Sequence, residues 1–200
     1  MGTMKHSIFL DADGVLWPEM GPGGLLNGMV EANMRLTKLI ETLGNREEIF
    51  IGVVTNQTFA ARGEMPYRDF KEKVFSLFDK LKSDMLIDDY RVCFHHPNAE
   101  YLPLRIIDCG CRKPQSGMID SLISQYSLLP NRSIIIGDRI TDILAGKNAR
   151  LNSAVLLLGN RMLEMNQSAI QGVQGHIIPF KVARDFLESL EILKALMLHD

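Results

Sequence analysis

Residues 49–55 read IFIGVVT and are apolar almost throughout. A segment of this kind is typical of a strand buried on both faces, as in the parallel sheets of α/β proteins. Further short apolar runs over 7–11, 91–94, 133–138 and 153–158 are predicted to be strands as well. The chain is therefore predicted to build its core around a sheet of at least five strands.

Segments with helical periodicity separate these runs. The first helix is expected to begin near Asn27, after a loop over 17–28. Its helical stripe is predicted to consist of Val30, Met34, Leu36, Leu39, Ile40 and Leu43. The other predicted helices span Pro66–Leu81, Met118–Tyr126 and Ile140–Ala149, with a closing helix that buries Val182, Phe186, Leu190, Leu193 and Met197. This alternation predicts an α/β fold, a doubly wound (Rossmann-like) parallel sheet, as a single domain over residues 1–200.

Composition restricts the partners of the chain. A formal charge of -2 and a pI near 6.2 provide no electrostatic footprint for nucleic acid or for an anionic membrane surface. The three cysteines are an odd number, which argues against a disulfide framework. No apolar run reaches the length of a membrane span. We therefore expect a cytoplasmic protein, with a monomer favoured and a small molecule as its partner.

Polar residues follow three of the predicted strands, where Asp11 and Asp13, then Thr55, then Asp138 stand. The carboxyl ends of parallel strands meet at one sheet edge, which is where such folds bind ligands. Two neighbouring carboxylates repel each other unless a cation lies between them, and this arrangement suits Mg²⁺. Taken alone, the segment that contains Asp11 and Asp13 could also be an Asp-Gly turn whose carboxylates are simply solvated. Lys113, placed just before a predicted helix, would add a positive charge.

Together these groups are suited to phosphoryl transfer, because an anionic phosphoryl group resists attack by an anion until positive charges neutralise it. Asp11 would attack phosphorus and form an aspartyl-phosphate. Asp13 would protonate the leaving oxygen and later deprotonate the attacking water. Thr55 would donate a hydrogen bond to a phosphoryl oxygen. Asp138 would hold the metal together with Asp11.

The order of these motifs resembles the four motifs of the haloacid dehalogenase superfamily: DxDG, a strand-terminal Thr, a Lys before a helix, and GDxxxD over 137–142. The resemblance implies that Mg²⁺ is bound by Asp11, the main-chain carbonyl of Asp13, and Asp138. For Asp142 two roles remain open: it supports the metal through water, or it caps the helix that begins there.

All three cysteines lie in Cys93-Phe94-His95 and Cys109-Gly110-Cys111. Two ligand pairs of this spacing can surround one ion as Cys₃His, which is a closed structural zinc site. His96 could take the place of His95, and three free thiols beside a surface histidine are the alternative to a metal site. Zinc would stiffen the loop over 93–111 and position Lys113.

The stretch CxHHP…CxCRKPxxGM, with VVTNQ and ARG upstream, is similar to the D-glycero-D-manno-heptose 1,7-bisphosphate phosphatases. The related histidinol-phosphate phosphatases have a shorter loop, and the 13 residues between His95 and Cys109 favour the heptose group. The resemblance implies a haloacid dehalogenase-like fold without a large cap domain, and sugar-phosphate binding by Asn56, Arg62 and Arg112.

The sequence also departs from that group. Ala12, Val15, residues 58–60 and the loop over 17–28 differ from its usual pattern, which leaves the sugar and its anomer open. The leading hypothesis is a Mg²⁺-dependent sugar-bisphosphate phosphatase of carbohydrate metabolism. The alternatives are a histidinol-phosphate or other phosphomonoester phosphatase, a non-catalytic zinc-stabilised binding protein and, last, a zinc nucleic-acid module.

Overall fold

A computed structural model describes residues 6–17, 24–44, 46–158 and 178–198 of the chain. The strands are β1 (His6–Leu10), β2 (Ile49–Asn56), β3 (Asp89–Cys93), β4 (Ser133–Gly137), β5 (Ser153–Leu157) and β6 (Phe180–Ala183). The helices are α1 (Gly24–Leu43), α2 (Tyr67–Ser83), α3 (Gly117–Tyr126), α4 (Ile140–Asn148) and α5 (Phe186–Leu198). None of the helices in these ranges combines the length and hydrophobicity that a membrane crossing needs.

The six strands form a parallel sheet in the order β3-β2-β1-β4-β5-β6, with helices on both faces. Side chains alternate along β1, as the period of a strand requires. Ile8 and Leu10 pack into the core cluster shared with α1, α2 and α5. Phe9 packs into the other cluster, with residues of α3 and α4. The predicted doubly wound α/β fold is confirmed.

The strand order places a topological switch point at β1. The chain moves from β1 outward through β2 to β3 and then returns to place β4 on the other side of β1. Leu10 at the end of β1 is aligned with Val53 on one side and with Ile136 on the other. The carboxyl ends of β1, β2 and β4 therefore adjoin, and this is where open α/β sheets bind ligands.

The sixth strand was not predicted, and Val182 was wrongly assigned to the closing helix. Val182 lies on β6 and is 42% exposed, while α5 begins at Phe186. The strand is short and is the outermost strand on one side of the sheet. Its sequence FKVA therefore lacks the continuous apolar run that marks a buried strand.

Helix α1 also differs from its prediction. It begins at Gly24 rather than at Asn27, so the end of the predicted loop over 17–28 is helical, while residues 18–23 lie outside the described ranges. Leu36 and Leu39 of the predicted stripe are buried. Val30 and Met34 are 65% and 57% exposed, because the buried stripe of α1 does not include them. That stripe consists of Ala32, Leu36 and Leu39.

Candidate active site and metal-binding cluster

The first candidate residue, Asp11, directly follows β1, and its main-chain N–H continues the ladder to the carbonyl of Ile136 at 3.0 Å. Its Oδ1 accepts the N–H of Ala12 at 2.7 Å and lies 2.9 Å from the Lys113 ammonium. Both of these contacts are made by the same oxygen of Asp11.

Two glycines allow the strand ends to approach one another. Gly14 has φ of 79°, and a Cβ there would lie 2.3 Å from Oδ2 of Asp138. A Cβ on Gly137 would lie 2.2 Å from the Cβ of Asp142. Any side chain at either position would therefore push a carboxylate out of the site.

Lys113 is the cation of the site and is only 3% exposed. Its Nζ donates to the Val54 carbonyl at 2.8 Å and pairs with Oδ1 of Asp142 at 2.6 Å, in addition to Asp11. Burial opposes the charge, but Asp11 and Asp142 raise the pKa of Lys113 above its ordinary value, so the ammonium stays charged.

Asn56, predicted to bind the sugar phosphate, is bonded to the main chain of Lys113. Its Oδ1 accepts the Lys113 N–H at 3.1 Å, and its Nδ2 donates to the Lys113 carbonyl at 3.2 Å. These paired bonds join the end of β2 to a residue far away in the sequence. The structure thus indicates that Asn56 positions the lysine, and a contact with substrate stays a prediction.

Three buried carboxylates surround this lysine. Oxygens of Asp11, Asp138 and Asp142 all lie within 4.8 Å of one another. Burial, together with Asp11 and Asp142, raises the pKa of Asp138 to about 8, and burial raises the pKa of Asp142 to about 6. Oδ1 of Asp138 is buried without a hydrogen-bond partner. The Lys113 ammonium and the Arg139 guanidinium, whose Nε lies 4.0 Å from Oδ1 of Asp138, are two cations beside three acids, so the cluster fits a further hard cation.

Of the two roles considered for Asp142, the structure shows the helix cap, and support of the metal through water stays a prediction. Its Oδ2 accepts the main-chain N–H of Arg139 at 2.9 Å, which caps the start of α4. Its Oδ1 pairs with Lys113 and belongs to the acidic cluster. Asp142 therefore fixes the helix and supports the charged centre at the same time.

Asp13 lies at the same sheet edge and is held at both carboxylate oxygens. Oδ1 accepts the indole N–H of Trp17 at 2.7 Å, and Oδ2 accepts the Gln57 amide at 2.9 Å. The same amide reaches Oγ1 of Thr55 at 3.2 Å. Sequence reasoning missed Trp17 and Gln57. The signal for Gln57 was its spacing of two from Thr55 at a strand end, which puts both side chains on one face.

The three cysteines converge with His95 in a compact cluster. The Cys93–Cys109 and Cys109–Cys111 sulfur pairs are 3.8 and 3.0 Å apart. Nδ1 of His95 lies 3.1 to 3.7 Å from the three sulfurs. Hydrogen bonds, first from Cys93, lower the pKa of Cys111 to about 5. A tetrahedral zinc site has sulfur separations of about 3.8 Å, which the Cys93–Cys109 pair matches, while the Cys109–Cys111 pair is closer. Three thiols and one imidazole are a donor set that suits zinc.

His96 takes no part in the cluster as described. Its Nδ1 accepts the N–H of Asn98 at 3.1 Å, and its main-chain N–H donates to the Leu104 carbonyl at 3.0 Å. Of the two histidines considered as ligands, the structure brings His95 to the sulfurs.

A cleft of about 460 Å³ lies beside this cluster, and its lining includes Cys109, Arg112 and Lys113. Arg112 donates to the His95 carbonyl at 2.9 Å, and burial lowers its pKa. Arg62 is not among the lining residues. It pairs with Glu64 at 2.6 Å and lies over the ring of Phe59. Of the two predicted phosphate-binding arginines, only Arg112 contacts the cleft.

Comparison with known proteins gives consistent results. A family model described as HAD-hydrolase-like matches residues 110–188. The chain is 32% identical over 166 residues to the D-glycero-beta-D-manno-heptose-1,7-bisphosphate 7-phosphatase of Pasteurella multocida, covering 77% of this chain and 82% of that protein. It is 31% identical over 179 residues to the D-glycero-alpha-D-manno-heptose-1,7-bisphosphate 7-phosphatase of Photorhabdus laumondii, covering 84% of this chain and 93% of that protein.

A solved structure shares the fold. The D,D-heptose 1,7-bisphosphate phosphatase of B. bronchiseptica, complexed with magnesium and phosphate, superposes with a TM-score of 0.62. The two chains are 19% identical, and the match covers 96% of this chain and 99% of that one. At this identity the likeness concerns the fold alone.

Proposed function

Because this chain belongs to the haloacid dehalogenase-like phosphatases, in the group that includes the D-glycero-D-manno-heptose-1,7-bisphosphate 7-phosphatases, we propose that it removes one phosphate from a sugar bisphosphate. As a member of that group it is a phosphoric monoester hydrolase. The observation that carries the proposal is the buried Lys113 ammonium between Asp11 and Asp142, with Asp138 beside them. A carboxylate nucleophile needs such a centre to approach an anionic phosphoryl group.

Lys113 and Ala12 hold one oxygen of Asp11, so the other oxygen attacks phosphorus. As the bond from Asp11 to phosphorus forms and the bond to the leaving oxygen breaks, Asp13 donates a proton to that oxygen. In the second half-reaction Asp13 removes a proton from the water that attacks the aspartyl-phosphate. The bond between Asp11 and phosphorus then breaks, which regenerates the Asp11 carboxylate and releases inorganic phosphate. Thr55, at the end of β2, donates a hydrogen bond to the phosphoryl group.

We assign Mg²⁺ to the acidic cluster, with Asp11, Asp138 and the main-chain carbonyl of Asp13 as its ligands. Oδ1 of Asp138 is buried without a hydrogen bond, and the acids outnumber the neighbouring cations, which supports this assignment. When bound, the ion would neutralise phosphoryl charge and orient the phosphate. Asp142 stays bonded to Lys113 and to the start of α4, which keeps the lysine in place.

We assign zinc to Cys93, His95, Cys109 and Cys111 as a structural ion. Four protein ligands leave no open position for water, so the site would not be catalytic. Lys113 follows the last ligand by two residues, and the main-chain N–H of Arg112 donates to the Cys109 carbonyl at 3.2 Å. The cluster would therefore set the positions of the Arg112 and Lys113 side chains. Thiols that serve as ligands also agree with the predicted cytoplasmic location.

If zinc has this role, Cys109→Ser should reduce the zinc content from about one ion per chain to near zero. Hydrolysis should fall with it, because the loop that positions Lys113 loses its support. Metal analysis by mass spectrometry on protein purified without chelators measures the content. Asp108→Asn, exposed and next to the cluster but outside it, should keep its zinc. Unmodified protein without zinc would contradict the assignment.

The substrate assignment depends on the cleft beside Arg112. Among the described residues, no separate cap domain covers this edge of the sheet, so loops and the substrate's own charges must provide orientation. An arginine can bind a second phosphate group in a bidentate manner, which positions the sugar as well as attracting it. We therefore propose a heptose 1,7-bisphosphate as substrate. The relatives include enzymes named for both anomers, so the anomer remains open.

Sugar bisphosphates should accordingly exceed their monophosphates in kcat/KM, and Arg112→Ala should reduce that advantage by about 10- to 100-fold. Steady-state phosphate release over a panel of both heptose anomers, their monophosphates and histidinol phosphate measures this. Arg68→Ala, on the exposed surface of α2, is the matched control. Histidinol phosphate as the best substrate, with no preference for bisphosphates, would contradict the substrate assignment and leave the phosphatase chemistry intact.

A further inference from the structure

The carboxylate of Asp13 is held from two sides by residues that the reaction above does not use. Trp17 donates its indole N–H to Oδ1 at 2.7 Å, and Gln57 donates its amide to Oδ2 at 2.9 Å. Trp17 lies in the turn after β1, and Gln57 directly follows β2. With donors on both oxygens, the carboxyl group cannot rotate about its Cβ–Cγ bond without breaking a hydrogen bond.

The indole donor is fixed by its surroundings. Trp17 is 2% exposed, and its ring centroid lies 6.0 Å from that of Phe78 on α2. On the side of α1, a Cβ added to Gly28 would lie 3.2 Å from the indole Cδ2, so the helix backbone packs closely against the ring. The Trp17 carbonyl also accepts the Gly14 N–H at 2.8 Å. The indole N–H therefore has little freedom to leave Asp13.

The amide donor is fixed as well. Gln57 is 3% exposed, and its main-chain N–H donates to the Cys93 carbonyl at 2.8 Å. Its Nε2 contacts Oγ1 of Thr55 at 3.2 Å as well as Asp13. One side chain thus aligns the proposed proton-transfer group with the proposed phosphoryl-binding hydroxyl. Its backbone is bonded to a strand that supplies a ligand of the Cys/His cluster.

We propose that Trp17 and Gln57 are positioning residues that orient the Asp13 carboxyl group for proton transfer, an inference that rests on the proposed function. A carboxylate has about four lone-pair sites, so accepting two hydrogen bonds leaves sites that can face the substrate. Asp13 gives its proton to the leaving oxygen while the bond from that oxygen to phosphorus breaks. It recovers a proton from the attacking water. Proton transfer is steeply sensitive to such orientation.

The test compares two leaving groups. A heptose hydroxyl must be protonated as it leaves, whereas p-nitrophenolate leaves as a stable anion. Trp17→Phe keeps an aromatic ring and removes the N–H donor, and Gln57→Met removes the amide at similar length. Each change should lower kcat/KM for the heptose 1,7-bisphosphate by about tenfold. Since kcat/KM reports steps up to formation of the aspartyl-phosphate, the value of Trp17→Phe for p-nitrophenyl phosphate should stay within about twofold. Gln57→Met also loses the contact with Thr55, so it should lower both values, and the heptose value by more.

The control is Phe78→Leu, which alters the packing of the indole but keeps its N–H donor. It should leave the ratio of the two kcat/KM values unchanged. The sequence contains 1 tryptophan, so the fluorescence emission maximum of Gln57→Met reports directly whether Trp17 is still buried. Should Trp17→Phe not fold, Gln57→Met tests the same carboxylate through its other oxygen.

Two results would overturn the inference: an equal loss for both substrates in Trp17→Phe and Gln57→Met, or no loss for either. Its failure is distinguishable from failure of the proposed function. If the unmodified protein with Mg²⁺ hydrolyses neither phosphate ester, the proposed function is wrong and the inference is overturned with it. If it hydrolyses both and the variants keep the ratio, only the positioning role is wrong.

Discussion

Asp11→Asn is expected to lower kcat by at least about 1000-fold, the size of loss that follows removal of a nucleophile in other enzymes. Asparagine retains an oxygen for Lys113 and Ala12, but the attacking oxygen is replaced by an uncharged NH₂ group that cannot attack phosphorus. The measurement is phosphate release with the heptose 1,7-bisphosphate and Mg²⁺. Mass spectrometry after an acid quench should find a chain with one added phosphoryl group only in the unmodified protein.

Asp69→Asn is the matched control, since Asp69 is an exposed carboxylate on α2. It undergoes the same change of charge and should leave turnover unchanged. A phosphorylated chain in Asp11→Asn at the level of the unmodified protein would show that another residue is the nucleophile.

The second large effect is on stability. Lys113→Met should lower the free energy of unfolding by about 3–5 kcal/mol, because Asp11 and Asp142 remain buried without their cation. Turnover should also be lost, since the ammonium that faces the phosphoryl group is gone. Chemical denaturation monitored by circular dichroism, without added Mg²⁺, measures the loss of stability.

A second substitution separates charge from packing. Asp142→Asn in the Lys113→Met background removes one unpaired charge while an amide oxygen still caps α4, so stability should partly return and activity should not. Lys147→Met, an exposed lysine on α4, should change stability by no more than about 0.5 kcal/mol. If Lys113→Met is as stable as Lys147→Met, the buried ion pairs do not support the fold as described.

The elements around the site were predictable because their signals are local. Buried strands such as β2 and β4 are continuous apolar runs, and polar residues at their ends mark the sheet edge. Edge strand β6 was not predictable from an apolar pattern, since half-exposed residues form it. In α1 the periodic pattern correctly included the buried Leu36 and Leu39, but it did not show that Val30 and Met34 lie outside the buried stripe.

Within the site, the residues that carry charge were easier to identify than those that hold them. Lys113 stands out because a lysine precedes a helix in a motif-bearing segment. The side chain of Asn56 binds the main chain of Lys113 because the end of β2 lies against a loop that is distant in the sequence. No spacing in the sequence indicates this contact. The Trp17 indole reaches Asp13 only because the turn after β1 folds back, with Gly14 at positive φ.

The central position of β1 has a consequence for how the molecule loses its site. β1 is hydrogen-bonded on both sides, to strands that begin far along the chain, and its residues 7–10 are buried. Amide protons of such a strand exchange with solvent mainly through cooperative opening of the whole fold, whereas an edge such as β6 can fray by itself. We therefore expect the candidate site, at the carboxyl end of β1, to stay assembled when β6 opens locally and to be lost only when the whole fold opens.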